Sequence, residues 1–143
     1  MTADRLPPRS YIRDMATILV VDDQALNREY LKIVLENAGH SVLQAADAAA
    51  ALRVALEQRP ELVILDLDLP GRDGAALVRD LRSDERTADI RIAIHTASRT
   101  DAALEQFMSV TRIGHVIPKP AEPDVVLRFV TSALGGPTNG DAA

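Results

Sequence analysis

The chain has 143 residues, enough for one domain that buries roughly two-thirds of the surface exposed by its unfolded form, so folding needs no disulfide or metal staple. Cysteine is absent, which excludes disulfides and thiolate metal sites and suits a reducing cytoplasm; the apolar runs are far shorter than the ~20 residues of a membrane span. A net charge of -5 with scattered Lys and Arg, and an aromatic content of 3% without Trp, argue against direct nucleic-acid binding and leave acidic clusters as candidates for a hard cation.

Residues 1–15, with Pro7-Pro8 and no hydrophobic periodicity, read as a disordered leader, Met15 being a candidate functional start. Residues 17–21 form a β-branched, apolar strand that stops at Asp22-Asp23. Over residues 24–38, Leu26, Tyr30, Ile33, Val34 and Leu35 recur at helical spacing, and Gly39 is the expected stop. A short strand at 41–45 leads to Asp47, the cap of an alanine-rich helix with Ala51, Leu52, Ala55 and Leu56 as its buried stripe, ending before Pro60.

Leu62 to Leu65 is an unbroken apolar run, the mark of a strand buried on both faces, and it ends abruptly in Asp66; Pro70, Gly71 and Gly74 then force a loop. Asp73 opens a helix to about residue 82 with Leu77, Val78 and Leu81 inward, and polar residues 83–89 lead to a fourth strand at 90–96. A helix at 100–110 carries Leu104, Phe107 and Met108 on one face, and 114–118 is a short fifth strand. Pro123 suits the first position of the last helix, whose apolar side is Val126, Phe129, Val130 and Ala133. Residues 16–135 thus form the single domain, and 136–143 a disordered tail or the start of a linker.

Five strands alternating with five helices imply right-handed crossovers and an α/β parallel sheet covered on both faces. In such a sheet every strand-to-helix loop lies at one edge, so Asp22, Asp23, Asp66, Thr96 and Lys119 converge there. Each alone reads as a cap, a strand former or a solvated loop residue; five polar groups at the ends of four strands form a site. Three mutually repelling carboxylates suit a hard divalent ion, Mg²⁺ above all. With it a carboxylate becomes competent to attack phosphorus, while Lys119 and the Thr96 hydroxyl are placed to hold phosphoryl oxygens. No Gly-rich phosphate loop is present, which argues against an NTPase or dinucleotide enzyme.

Asp22-Asp23, the run Asp66-Leu-Asp-Leu-Pro-Gly-Arg-Asp-Gly74, the strand end His95-Thr96-Ala97-Ser98 and Pro118-Lys119-Pro120 resemble the CheY-like receiver domain of two-component response regulators, over roughly residues 17–134. The resemblance implies a flavodoxin-like three-layer αβα sandwich with strand order 2-1-3-4-5. It implies that Asp66 accepts a phosphoryl group from the phosphohistidine of a histidine kinase or phosphotransfer domain. Asp23 and Asp66 would bind Mg²⁺ directly, Asp22 through water and Asp68 through its backbone carbonyl. Lys119, Thr96 and the backbone of Ala97 would hold the phosphoryl group, and phosphorylation would switch the surface of helix 4, strand 5 and helix 5. The family also allows a homodimer through helices 4 and 5.

Two departures stand out. The strand-five position where receivers commonly carry Tyr or Phe is Val116, with His115 beside it, expected to face solvent unless it substitutes for the aromatic. Asp68 is an extra carboxylate two residues past the acceptor; with Ser98 it is a candidate modulator of phosphoryl lifetime. His40 and His95 are expected to be structural. Alternative readings are a haloacid-dehalogenase-type phosphatase, suggested by Asp66-x-Asp68, and a receiver fold that only binds. The Asp-Asp-x-x-x-Asn-Arg opening resembles receivers of hybrid kinases and multidomain regulators, favouring a domain excised from a longer protein with its output elsewhere.

Overall fold

The computed structural model describes residues 15–69, 74–97 and 101–135. Its strands are β1 (Thr17–Val21), β2 (Ser41–Ala45), β3 (Leu62–Leu65), β4 (Arg91–Thr96) and β5 (His115–Pro118). Its helices are α1 (Ala25–Asn37), α2 (Ala48–Gln58), α3 (Gly74–Ser83), α4 (Ala102–Thr111) and α5 (Pro123–Gly135). Residues 1–14 of the expected leader (1–15), the tail (136–143), the loop residues Pro70, Gly71 and Asp73, and Ser98 lie outside the described residues.

All neighbouring strands pair in parallel, in the order β2-β1-β3-β4-β5, so the flavodoxin-like arrangement expected from the sequence is the one observed. Because strand side chains alternate, each central strand divides its apolar residues between two cores. Ile18, Val20, Leu62, Ile64, Ala93 and Ile117 face one layer, packing against Leu31, Val34 and Leu35 of α1 and Val126, Val130 and Ala133 of α5. Leu19, Val21, Val63, Leu65, Ile92 and Ile94 face the other, against Ala51 and Ala55 of α2 and Leu77, Val78 and Leu81 of α3, with Phe107 and Met108 of α4 partly buried beside them. This two-sided demand is why β3 reads as an unbroken apolar run.

Local chemistry sets several boundaries. The Asp47 carboxylate accepts from the Ala50 amide at 2.8 Å, capping α2 as expected; Asp101, expected inside the helix, instead caps α4 through the Leu104 amide, also at 2.8 Å. Gly39 follows α1 with φ of +100°, a conformation that disfavours a side chain. Pro123 opens α5, where its missing N–H costs nothing.

The inward face of α1 differs from expectation. Leu31, Val34 and Leu35 are buried, whereas Leu26 is 84% exposed, Ile33 51% and Tyr30 38%. Leu26, Tyr30 and Ile33 also recur at helical spacing, so two apolar stripes lie on adjacent arcs of one helix and only one can meet the sheet. Gly74 also differs, being the first residue of α3 and not merely part of a loop. A Cβ there would lie 2.8 Å from Leu67 Cα and 3.0 Å from the Asp66 carbonyl oxygen, so the absent side chain lets α3 begin directly beneath the Asp66 loop.

Gly74→Ala is therefore expected to destabilise the fold by about 1–3 kcal/mol despite alanine's better helix propensity, because the clash is with backbone that has no room to yield. Denaturant unfolding of the two chains checks this; equal midpoints would show that the helix start shifts freely.

Candidate functional site

The backbone ladders continue one residue beyond the strands at their carboxyl ends. The Asp22 amide donates to Ala45 O at 3.2 Å, the Asp66 amide to Val21 O at 3.0 Å and the Lys119 amide to Thr96 O at 3.1 Å. The first residue after β1, β3 and β5 is thereby held in register, and the side chains of Asp22, Asp66 and Lys119 meet above the sheet edge. Carboxylate oxygens of Asp22, Asp23 and Asp66 lie within 4.8 Å of one another. Asp22 and Asp66 are buried, whereas Asp23 is exposed.

One cation sits among them. Lys119 Nζ is 2.8 Å from Asp22 Oδ2 and 2.9 Å from Asp66 Oδ2. Burial alone would lower the Lys119 pKa, but hydrogen bonding and attraction from the two carboxylates outweigh it and raise the pKa above the usual lysine value. The other oxygens are also engaged: Asp66 Oδ1 accepts the Asp68 amide at 2.9 Å, and Asp22 Oδ1 accepts the Gln24 amide at 2.9 Å. Asp22 Oδ2 is buried, and the Lys119 ammonium is its partner. Three carboxylates sharing one ammonium form an oxygen-rich donor set that fits a hard, oxygen-seeking divalent ion.

These groups open into a cleft of about 950 Å³ whose lining includes Asp23, Asp66, Asp68, His95, Ala97 and Lys119 together with Tyr30 and residues 120–123. Thr96 ends β4 as a buried residue, and Ala97 is exposed at the cleft. Asp68 is exposed beside the acceptor candidate, with its amide turned onto Asp66. Among the described residues the site brings together Asp22, Asp23, Asp66, Asp68, Ala97 and Lys119, with Thr96 at the same edge.

Val116 packs among the apolar residues on the α3–α4 side, beside Ile94 in register. His115 alternates to the other side, where its Nε2 is 3.0 Å from Ser132 Oγ of α5. It is half-buried, with its pKa lowered by that burial. It does not face solvent as expected, because α5 covers that side of β5, and it does not share Val116's face.

Of the residues beside the site, His95 and Arg28 carried weak sequence signals. His40 is structural as expected, its Nδ1 accepting the Ala16 amide at 3.1 Å. His95 does alternate from Thr96, yet at a strand end both faces border the cleft, and it lines the site. Burial first, and then the Lys119 charge, push its pKa down to about 4, so its imidazole is neutral near pH 7. Arg28 donates from Nη1 to the Asp22 carbonyl at 2.7 Å; the Asn-Arg pair after the acidic corner was visible as a motif but not its contact. Tyr30 donates to the Ala121 carbonyl at 2.6 Å across 91 positions of chain, which no local pattern reveals.

Residues 18–131 match the family described as the response regulator receiver domain. The phosphate regulon transcriptional regulatory protein PhoB of Pseudomonas aeruginosa is 36% identical over 126 residues, covering 88% of this chain but 55% of PhoB, so the chain spans about half of that relative. The chemotaxis response regulator CheY4 of Vibrio cholerae superposes with a TM-score of 0.77 at 28% identity, over 84% of this chain and 99% of CheY4. The receiver domain of the sensor histidine kinase PA1611 of Pseudomonas aeruginosa, with a magnesium ion coordinated in its active site cleft, gives 0.76 at 26% identity, over 85% of this chain and 98% of that one. With its sheet order, its acidic edge and a family match across nearly all the described residues, the chain belongs to the CheY-like receiver domains of two-component response regulators.

Proposed function

We propose that the chain is a phosphoacceptor in a two-component phosphorelay, taking a phosphoryl group on Asp66 from a phosphohistidine of a histidine kinase or histidine phosphotransfer domain. The observation that carries this reading is the Lys119 ammonium bridging Asp22 and Asp66, at 2.8 and 2.9 Å, beside the exposed Asp23. An Asp66 carboxylate oxygen attacks the donor's phosphorus; the new P–O bond forms as the P–N bond breaks, and the imidazole leaves with the electron pair and takes a proton from solvent. Water later attacks the same phosphorus, releasing inorganic phosphate and restoring the carboxylate.

Asp23, Asp66 and the Asp68 carbonyl would hold Mg²⁺ directly, with Asp22 acting through water; when bound, it supplies positive charge against the phosphoryl oxygens. Lys119 exchanges a carboxylate for a phosphoryl oxygen as its partner, so its charge stays paired throughout. The Thr96 hydroxyl and the Ala97 amide hold the other oxygens, and movement of Thr96 biases the surface formed by α4, β5 and α5. The module phosphorylates itself from a donor and slowly loses the group; it is not a turnover enzyme. Asp68, exposed beside Asp66, is the candidate among the described residues for setting how fast water reaches the phosphoryl group. A cytoplasmic setting follows from such a donor, and no helix among the described residues is long and apolar enough to cross a membrane. The readout partner is an output domain or a separate target protein.

Phosphoramidate with Mg²⁺ is expected to add one phosphoryl group to the parent chain in intact-mass spectra, and none to Asp66→Asn or to the parent in EDTA. Labelling of Asp66→Asn at the parent rate would end the assignment. A second outcome follows from charge. Lys119→Met removes the cation that competes for Asp22 and Asp66, so Mg²⁺ affinity in the absence of phosphodonor is expected to rise about tenfold while phosphoryl uptake falls. Weaker metal binding, measured by calorimetry, would show that Lys119 organises the carboxylates and does not compete for them.

A further inference from the structure

Two side chains of α1 reach the two halves of the site by separate hydrogen bonds. Tyr30 lines the cleft, and its hydroxyl donates at 2.6 Å to the carbonyl of Ala121, two residues after Lys119. The same loop is tied at its other end by the Lys119 amide on Thr96 O at 3.1 Å. The Lys119–Ala121 segment is therefore pinned by β4 on one side and by α1 on the other. Burial, then the Glu122 and Asp124 carboxylates, raise the Tyr30 pKa, so its hydroxyl keeps the proton it donates. Arg28 reaches the opposite half: its Nη1 donates to the Asp22 carbonyl at 2.7 Å, and its Nε to Gln44 Oε1 at 3.1 Å. That carbonyl belongs to the peptide joining Asp22 to Asp23, so the guanidinium sets the orientation of the acidic corner.

We infer that α1 is a two-armed bracket in which Tyr30 positions Lys119 for the phosphoryl group and Arg28 positions the Asp22–Asp23 corner for the metal. This rests on the phosphoacceptor reading, and it makes the arms separable. Lys119 contacts phosphoryl oxygen and not metal, whereas Asp23 is the reverse. A brace that only stabilised the fold would move both functions together. Neither residue touches the reacting atoms, so both are positioning residues, and α1 also contributes Leu31, Val34 and Leu35 to the core that holds it in place.

The test uses the full chain and the conservative variants Tyr30→Phe and Arg28→Met, with three readouts: a Mg²⁺ titration followed by the backbone amide resonances of Asp22 and Asp23, hydrogen exchange of the Lys119, Ala121 and Glu122 amides, and the labelling rate with phosphoramidate at saturating Mg²⁺. Loss of one net hydrogen bond sets the expected scale at about fivefold. Tyr30→Phe is expected to speed exchange in the Lys119 loop and slow labelling by about that factor, with the Mg²⁺ isotherm unmoved. Arg28→Met is expected to weaken Mg²⁺ binding by about that factor without altering exchange in the Lys119 loop. The bracket is overturned if Tyr30→Phe leaves loop exchange unchanged, if it shifts the isotherm as far as it shifts exchange, or if Arg28→Met leaves the isotherm in place. A parent chain that takes no label would end the phosphoacceptor reading alone, since exchange and the metal titration decide the bracket without phosphoryl transfer.

Discussion

The ammonium of Lys119 is the constraint on which the site depends. Asp22 and Asp66 are nearly stripped of solvent, at 1% and 7% exposure, and two ionised carboxylates so placed repel each other strongly unless a cation intervenes. Lys119 lies within 3 Å of both, yet it supplies one positive charge among three negative groups once Asp23 is included. The cluster is thus partly compensated and remains electron-rich. Such a cluster is compatible with a hard divalent ion, and Asp23 is its solvent-exposed member.

The fold makes that juxtaposition inexpensive. The three strands that deliver Asp22, Asp66 and Lys119 are anchored by side chains completely withdrawn from water, including Leu19, Leu62, Leu65 and Ile117. β1 and β3 bury residues on both faces, so sliding by one position would exchange their two core contact sets at once, and β5 is set in register against β4 with Ile117 buried. Gly74 completes the support by letting α3 start against the Asp66–Leu67 backbone. The position of the carboxylates is consequently a property of the sheet, and the loops add chemistry to a rim already in place.

What could be read from the sequence follows the range of the forces involved. Apolar alternation and capping are local, so the five strands, the Asp47 cap and Pro123 at the start of α5 were legible. The convergence of Asp22, Asp66 and Lys119 followed from topology, since parallel strands send every such loop to one edge. Choices between equivalent local patterns were not legible. Leu26, Tyr30 and Ile33 offer α1 a stripe as periodic as that of Leu31, Val34 and Leu35, and only contact with the sheet distinguishes them. His95 was misjudged because alternation describes strand interiors, and its ring lies where the strand gives way to the cleft. The hydrogen bond from Tyr30 to Ala121 and the steric role of Gly74 depend on atoms brought together by the finished fold, and no periodicity encodes them.

The small side chain at Val116 shifts attention to α4. On its side of the sheet the aromatic ring belongs to Phe107, which packs on the same apolar cluster and has the Arg79 guanidinium 5.7 Å from its centroid. Nearby, Arg82 donates to Thr111 O at 2.7 Å, Ala88 O at 2.9 Å and Ile90 O at 2.6 Å, tying the C-terminal end of α4 to α3 and to the approach of β4. A half-buried guanidinium that satisfies several carbonyls is costly to displace, since each would lose a charge-assisted bond. Under the proposed switch a displacement at Thr96 therefore meets an α4 held firmly at its far end. The other end of that helix, nearer the site, is held by its own cap, the Asp101 carboxylate that accepts the Leu104 amide, so no side chain of α3 is needed to fix it there.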